Sequence, residues 1–222
     1  MKVEALIFDM DGTMIDSMPT HAKTWVEFMR AHRLEIPLED VMRRTTGRTG
    51  PECMRVLFGA DLDDAQCLLL SEQKEQMYRE LFAPVFAEVA GFTQFEASAR
   101  ARGLKVGVGT AGDRHNIAFV LSNLRLPQAP HAIVGGDEGL PGKPEPAIFL
   151  EAAKRMNTSP KDCIVFEDSP FGIESARRAG MRAVAVCSTH NPAQLAGPHV
   201  LAAVRDYNEL MNSSFLENLH VD

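Results

Sequence analysis

Beyond Gly91 short apolar runs alternate with helix-length segments, and this alternation restricts the chain to a parallel sheet wrapped by helices. A helix is predicted over Thr93 to Arg102, stopped by Gly103 as glycines stop helices. The strand Lys105 to Gly109 follows, then a helix over Asn116 to Leu124, the strand Ala132 to Val134 and a helix over Ala147 to Met156. Strand Cys163 to Phe166, helix Gly172 to Ala179 and strand Arg182 to Val186 continue the pattern, and a weak last strand covers Val200 to Val204. No internal repeat or low-complexity segment breaks it.

The first strand lies far from the others, at the N-terminus. Ala5-Leu6-Ile7-Phe8 reads as a buried parallel strand that Gly12 ends. From about Thr20 to Phe86 no strand is predicted. His21 to His32 is helical, with Trp25, Phe28 and Met29 on one face. Pro37 to Thr45 and Pro51 to Phe58 read as short helices and Ala65 to Phe82 as a long one. The expected fold is α/β: a doubly wound parallel-sheet core, residues 1–15 and 86–222, with an inserted small α-helical cap over residues 16–85. Trp25, Phe28 and the leucines Leu68 to Leu70 are expected to be core.

Composition narrows the partners. The chain has 222 residues, 45% of them hydrophobic, which suffices for a packed core. Its net charge of -7 argues against nucleic acid. No apolar run reaches the ~18 residues that span a membrane. Met1 enters a strand within a few residues, which predicts no secretory signal. Cys53, Cys67, Cys163 and Cys187 are scattered, so reduced, mostly buried thiols in a cytoplasmic protein are expected.

The chemistry is expected at the strand ends. Asp9 and Asp11 follow the first strand, where open α/β sheets bind ligands. Two carboxylates that close repel unless something positive lies between them, and a hard divalent cation is the usual partner. Asp-x-Asp-Gly is also an ordinary turn. Thr110 ends the second strand, and a threonine there is often a cap. Lys143 precedes a Pro-rich helix start, where most lysines are solvated. Glu167 and Asp168 end a later strand, where such a pair is often a turn or a helix cap.

Together, in this order on one sheet, these residues are specific. Phe8-Asp9-Met10-Asp11-Gly12-Thr13, Thr110, Lys143 and Glu167-Asp168 resemble the successive motifs of the haloacid dehalogenase superfamily. The resemblance spans essentially the whole chain, and the helical block resembles that superfamily's small cap. Gly142-Lys143-Pro144-Glu145-Pro146 and Phe166-Glu167-Asp168-Ser169-Pro170-Phe171-Gly172-Ile173 are similar to the subgroup of β-phosphoglucomutase and related sugar phosphatases.

The resemblance implies Asp9 as nucleophile and Asp11 as acid and base, holding a proton at neutral pH. It implies Mg²⁺ held by Asp9, Asp168 and the Asp11 carbonyl, with Glu167 behind them orienting a metal-bound water. Thr110, with the Ala111 and Gly112 backbone, and Lys143 would bind phosphoryl oxygens. The superfamily's dehalogenases lack an aspartate matching Asp11 and use no metal, so Asp11 favours phosphoryl transfer. In the cap, His21 falls where the subgroup places a histidine near the acid/base aspartate. Arg48, in Gly47-Arg48-Thr49-Gly50, is similar to a substrate-contacting loop and could grip a second phosphate or a carboxylate. Lys74 is similar to a cap lysine above the site. As bare residues, these three also read as solvated side chains.

The resulting expectation is a Mg²⁺-dependent phosphatase acting on a small phosphorylated metabolite, chiefly sugar phosphates, in a monomeric protein. The runner-up is a phosphosugar mutase, and pyrophosphate cleavage is a further option. Thr110-Ala111-Gly112-Asp113 and Ser17-Met18-Pro19 depart from the mutase pattern. Two other classes compete. Gly107-Val108-Gly109-Thr110-Ala111-Gly112 is a literal G-x-G-x-x-G, with Asp137 placed downstream for a ribose, as in nicotinamide-dependent oxidoreductases. That reading puts Gly107 inside a strand and leaves Asp9, Asp11, Lys143 and Asp168 unexplained. A phosphorylatable receiver-like switch also combines Asp, Thr and Lys, but the helical insertion and Asp11 argue against it.

Overall fold

A computed structural model describes residues 2–219. The strands are β1 (Ala5–Phe8), β2 (Lys105–Gly109), β3 (Ala132–Val134), β4 (Cys163–Glu167), β5 (Arg182–Val186) and β6 (Val200–Val204). They form one parallel sheet in the order β3-β2-β1-β4-β5-β6. The expected strands are all present, with β4 one residue longer. β1 is central, pairing Ile7 with Gly107 on one side and Val165 on the other. The chain winds outward from β1 in one direction and then, through β4, in the other. This reversal opens a crevice at the carboxyl ends of β1 and β4, where such sheets take ligands.

β1 is buried throughout, as a strand covered on both faces must be. Phe8 stacks on Phe166 of β4 at 4.6 Å between ring centroids and meets Phe92 edge-on at 5.3 Å. Each such buried aromatic contributes about 1.5–3 kcal/mol over leaving it in water. These rings anchor the strand ends that carry the polar residues.

The helices between β1 and β2 are α1 (Met18–Ala31), α2 (Leu38–Thr45), α3 (Gly50–Phe58) and α4 (Asp64–Phe82), followed by α5 (Phe92–Ala101). α1 begins three residues before the expected His21. Pro19 falls in its first turn, where a missing N–H costs nothing. α1 to α4 share their own apolar cluster, including Trp25, Phe28, Val41, Met54, Leu57 and Cys67. The expectation for Leu68 to Leu70 fails for the first two: Leu68 and Leu69 are 57% and 58% exposed. The buried stripe of α4 runs instead through Cys67, Ser71, Lys74, Tyr78 and Phe82 at helical spacing.

The chain enters and leaves this unit side by side. Asp16 N–H donates to the Ala87 carbonyl (2.9 Å) and Val89 N–H to the Met14 carbonyl (3.0 Å). The remaining helices, α6 (Arg114–Asn123), α7 (Ala147–Arg155), α8 (Pro170–Arg178) and α9 (Tyr207–Asn212), flank the sheet. α9 is an element the sequence reading lacks. Asp206 caps it, accepting from Glu209 N–H, and buried Tyr207 packs on Phe92. No helix among the described residues is long and apolar enough to cross a membrane. Cys53, Cys67 and Cys163 are buried free thiols, and Cys187 is half-buried.

Candidate active site

The ends of β1, β2 and β4 converge on a cavity of about 840 Å³ that α1, α3 and α4 roof. Asp9, Asp11, Thr110, Ala111, Gly112, Lys143, Glu167 and Asp168 line it from the sheet side, and His21, Arg48 and Lys74 from the helical side. All the residues singled out in the sequence therefore meet in one place.

On the sheet side the geometry is tight. Asp9 is 6% exposed, and its Oδ1 accepts from Lys143 Nζ at 2.5 Å. Lys143 also donates to Glu167 Oε1 at 2.6 Å. The other Glu167 oxygen accepts from the Ser169 N–H (2.7 Å) and hydroxyl (2.9 Å). A Cβ on Gly172 would lie 1.8 Å from the Glu167 carboxyl carbon, so only glycine lets α8 approach this closely. Asp168 accepts from Thr189 Oγ1 at 2.5 Å and from Thr13 Oγ1 at 3.4 Å. Gly12 adopts φ +74°, and a Cβ there would lie 2.4 Å from Asp168 Oδ2.

Asp9, Glu167 and Asp168 each offer an oxygen within 4.8 Å of the others. Lys143 pairs with two of these buried carboxylates, Asp9 and Glu167, and Asp168 adds a third negative group, which leaves excess negative charge. Burial raises the Asp9 carboxyl to about 7; Lys143 opposes this, while Glu167 and Asp11 add to it. Burial also pushes Asp168 well above the usual carboxylate range, helped by Glu167 and Asp9. Burial would lower Lys143, but Asp9 and Glu167 outweigh it and hold the ammonium charged. An all-oxygen cluster short of positive charge fits a hard divalent cation. Through its contacts with Lys143 and Ser169, Glu167 also holds the lysine in place beside Asp9.

The helical side is the opposite. Asp11 Oδ1 accepts from Ser17 Oγ (2.7 Å) and Tyr78 OH (3.3 Å), and lies 3.1 Å from His21 Nε2. His21 Nδ1 lies 2.9 Å from Lys74 Nζ, and the ring stacks on Tyr78 at 3.8 Å. Lys74 offers only donors, so Nδ1 accepts and Nε2 carries the proton given to Asp11, an assignment from the network. Burial would raise Asp11, but His21, Ser17 and Lys74 outweigh it and hold the carboxyl at about 2. The surroundings therefore separate the two carboxyls in proton affinity, raising Asp9 and lowering Asp11.

Thr110 is buried, its N–H donating to the Val134 carbonyl (3.0 Å) and its hydroxyl accepting from Gly112 N–H (3.0 Å). Arg48 is exposed at the cavity mouth, its Nε donating to the Arg44 carbonyl at 3.0 Å. Gly107 lies inside β2, paired with Ile7 and Ala132, so the G-x-G-x-x-G does not form the strand-to-helix turn a dinucleotide needs. Ser17, Tyr78, Thr189, Glu75 and Asn116 belong to the site and were missed. Tyr78 alone had a signal, since it sits one turn beyond Lys74 on the same helical stripe.

A parallel sheet with this strand order, a helical insertion after β1 and an Asp-x-Asp beside a buried Lys and Glu-Asp pair define a family. The chain belongs to the haloacid dehalogenase-like hydrolases, which it matches over residues 3–180. It is 34% identical over 183 residues to the fructose-1-phosphate phosphatase YqaB of Escherichia coli K12, covering 82% of this chain and 95% of that protein. It is 30% identical over 192 residues to the β-phosphoglucomutase of Bacillus subtilis, covering 83% of each. Among solved structures, the family IA, variant 3 hydrolase from Entamoeba histolytica superposes with a TM-score of 0.83 at 26% identity, covering 97% of this chain and 98% of that one.

Proposed function

We propose that this protein is a Mg²⁺-dependent phosphatase that hydrolyses small phosphorylated metabolites, chiefly sugar phosphates, through an aspartyl-phosphate on Asp9. One observation carries the reading: Asp9 lies at the cavity floor, 2.5 Å from Lys143 and inside a buried trio of carboxylates. A carboxylate held there is oriented for attack on phosphorus, which divides one hard displacement into two easier ones. Lys143 and the Thr110–Gly112 loop bind phosphoryl oxygens, and Glu167 keeps Lys143 charged and in place. Asp9, Asp168 and the Asp11 carbonyl would hold Mg²⁺, which supplies charge neutralisation to the transferring group.

Asp11 exchanges the proton. Its ionised state beside Ser17 and His21 is the base form, suited to deprotonating the water that opens the aspartyl-phosphate. The first step needs the protonated form: Asp11 takes a proton from solvent as substrate binds and passes it to the leaving oxygen when the phosphorus–oxygen bond breaks. Residues 16–85 act as the cap, hinged where 15–16 and 87–89 run side by side, and Arg48 at the mouth contacts the distal part of the substrate. The buried free thiols suit a reducing, cytoplasmic location.

A mutase is the second reading, favoured by the helical roof that seats Lys74 and His21 above Asp11 and would keep water out. The test is phosphate release from a panel of sugar phosphates and pyrophosphate, with and without Mg²⁺, alongside conversion of β-glucose 1-phosphate to glucose 6-phosphate. Mg²⁺-dependent release from sugar phosphates is expected. Isomerisation with little free phosphate would replace the phosphatase reading with the mutase one, and release from pyrophosphate alone would replace the substrate class.

A further inference from the structure

Among the described residues, every side-chain hydrogen bond joining α1–α4 to residues beyond 86 passes through Asn116. Asn116 sits in the first turn of α6, directly after the loop carrying Thr110. Its own N–H donates to Asp113 Oδ1 at 2.8 Å, which fixes its backbone. Its side chain is nearly inaccessible, at 1% exposure, although it lines the cavity. Nδ2 donates to Glu75 Oε2 at 2.7 Å, and Oδ1 accepts from Arg79 Nη1 at 2.8 Å. Glu75 and Arg79 are four residues apart on α4, so one helix face presents both.

The amide suits this place for a chemical reason. It offers donors and an acceptor on one short, planar group, so it satisfies a carboxylate and a guanidinium at once. An aspartate would face Glu75 with a like charge, and a leucine would leave Glu75 Oε2 and Arg79 Nη1 without this partner. The connection continues inward. The other Glu75 oxygen accepts from Lys74 Nζ at 2.8 Å, Lys74 donates to His21, and His21 donates to Asp11. One hydrogen-bonded path thus runs from the core helix α6, across α4, to the carboxylate beside the nucleophile.

We propose that Asn116 is a positioning residue: it latches α4 onto the sheet-side loop and, through Glu75, Lys74 and His21, sets where Asp11 stands. The positioning role rests on the phosphoryl-transfer reading above, whereas the latch can be tested without any substrate.

Trp25 is the single tryptophan of the chain and lines the same cavity at 5% exposure, with Lys74 Nζ 4.8 Å from its ring. Its quenching by acrylamide reports whether the roof is down. Asn116→Leu and Asn116→Asp are compared with the unaltered protein, each checked for folding by circular dichroism. Quenching is expected to rise about twofold in both. Adding Glu75→Gln to Asn116→Asp restores a donor–acceptor pair and is expected to return quenching to its original value. On a substrate that turns over, Asn116→Leu should lower kcat about tenfold with KM changed less than about threefold, and the double variant should recover kcat relative to Asn116→Asp. Unchanged quenching in both single variants overturns the latch, as does a double variant no better than Asn116→Asp. Raised quenching with unchanged kcat overturns the positioning role. If no substrate is hydrolysed, the phosphatase reading fails while the quenching result still decides the latch.

Discussion

The sheet side and the helical side of the site treat the same residue type in opposite ways. Asp9 faces the ends of β1 and β4, where three buried carboxylates cluster and one ammonium pairs with two of them, and its carboxyl is pushed up to about 7. Asp11 faces α1 and α4, where hydroxyls and an imidazole backed by Lys74 surround a single carboxylate, and it is held at about 2. Both are largely withdrawn from water, so burial alone does not decide the outcome. The ratio of donors to acceptors in each region does. One region is short of positive charge and so suits a cation and a phosphoryl group. The other is already balanced and so suits proton exchange.

The largest effect expected is from Asp9→Asn. Asparagine keeps the shape and can still accept from Lys143, so the fold should persist by circular dichroism and thermal unfolding. Turnover should fall on the order of 10³-fold or more, because the nucleophile is gone. Retention of even a tenth of the activity would move the nucleophile elsewhere and erase the distinction between the two regions.

The charge excess itself can be probed next by pH and metal. Between about pH 4 and 7, a carboxyl raised to about 7 in the folded protein is largely neutral while its unfolded counterpart, at the ordinary 3.8, is already ionised. The folded state then binds the extra proton, so Asp9 stabilises below about 4, and that stability is lost as pH rises through about 7. Asp11, lowered to about 2, has the reverse sign: its contribution is present above about 4 and lost as pH falls toward 2. The Tm of metal-stripped protein should therefore decline between about pH 4 and 7. Saturating Mg²⁺ at pH 8 should raise it by about 5 °C, while chelation should remove activity. A Tm that climbs across that window, or ignores Mg²⁺, would contradict a cation-seeking cluster.

The smallest effect sharpens the helical side. His21→Ala removes the first of the groups that counter burial at Asp11, so its carboxyl should titrate about one unit or more above its present position. Carbon-13 NMR of the Asp11 carboxyl would follow this. An unmoved titration would mean that Ser17 and Tyr78 suffice and that His21 only packs.

Legibility differed between the regions for a physical reason. The sheet-side residues lie within a few positions of a strand end, so strand assignment delivers them together: Asp9 and Asp11 after β1, Thr110 after β2, Glu167 and Asp168 at the end of β4. Helix-side residues depend on which face of a helix turns inward. Lys74 and Tyr78 fall on the buried stripe of α4, but Leu68 and Leu69, equally apolar to a reader of the sequence, fall on its exposed face. Asn116 carried no signal at all, being one polar residue in a helix's first turn. α9 was short enough for its pattern to escape notice, though Asp206 capped it.

The sequence by itself determined the sheet, its parallel winding, the helical insertion and the acidic strand ends, because period, turn residues and strand-end chemistry are local properties. Only the tertiary structure decided that their surroundings push Asp9 up and Asp11 down, that Lys143 bonds Glu167, and that Asn116 bonds two residues of α4. Those outcomes depend on residues brought within hydrogen-bonding distance from remote parts of the chain, such as Lys74 with His21 and Asn116 with Glu75. Proton affinity and contact across a cleft are set by three-dimensional neighbours, and no local pattern encodes them.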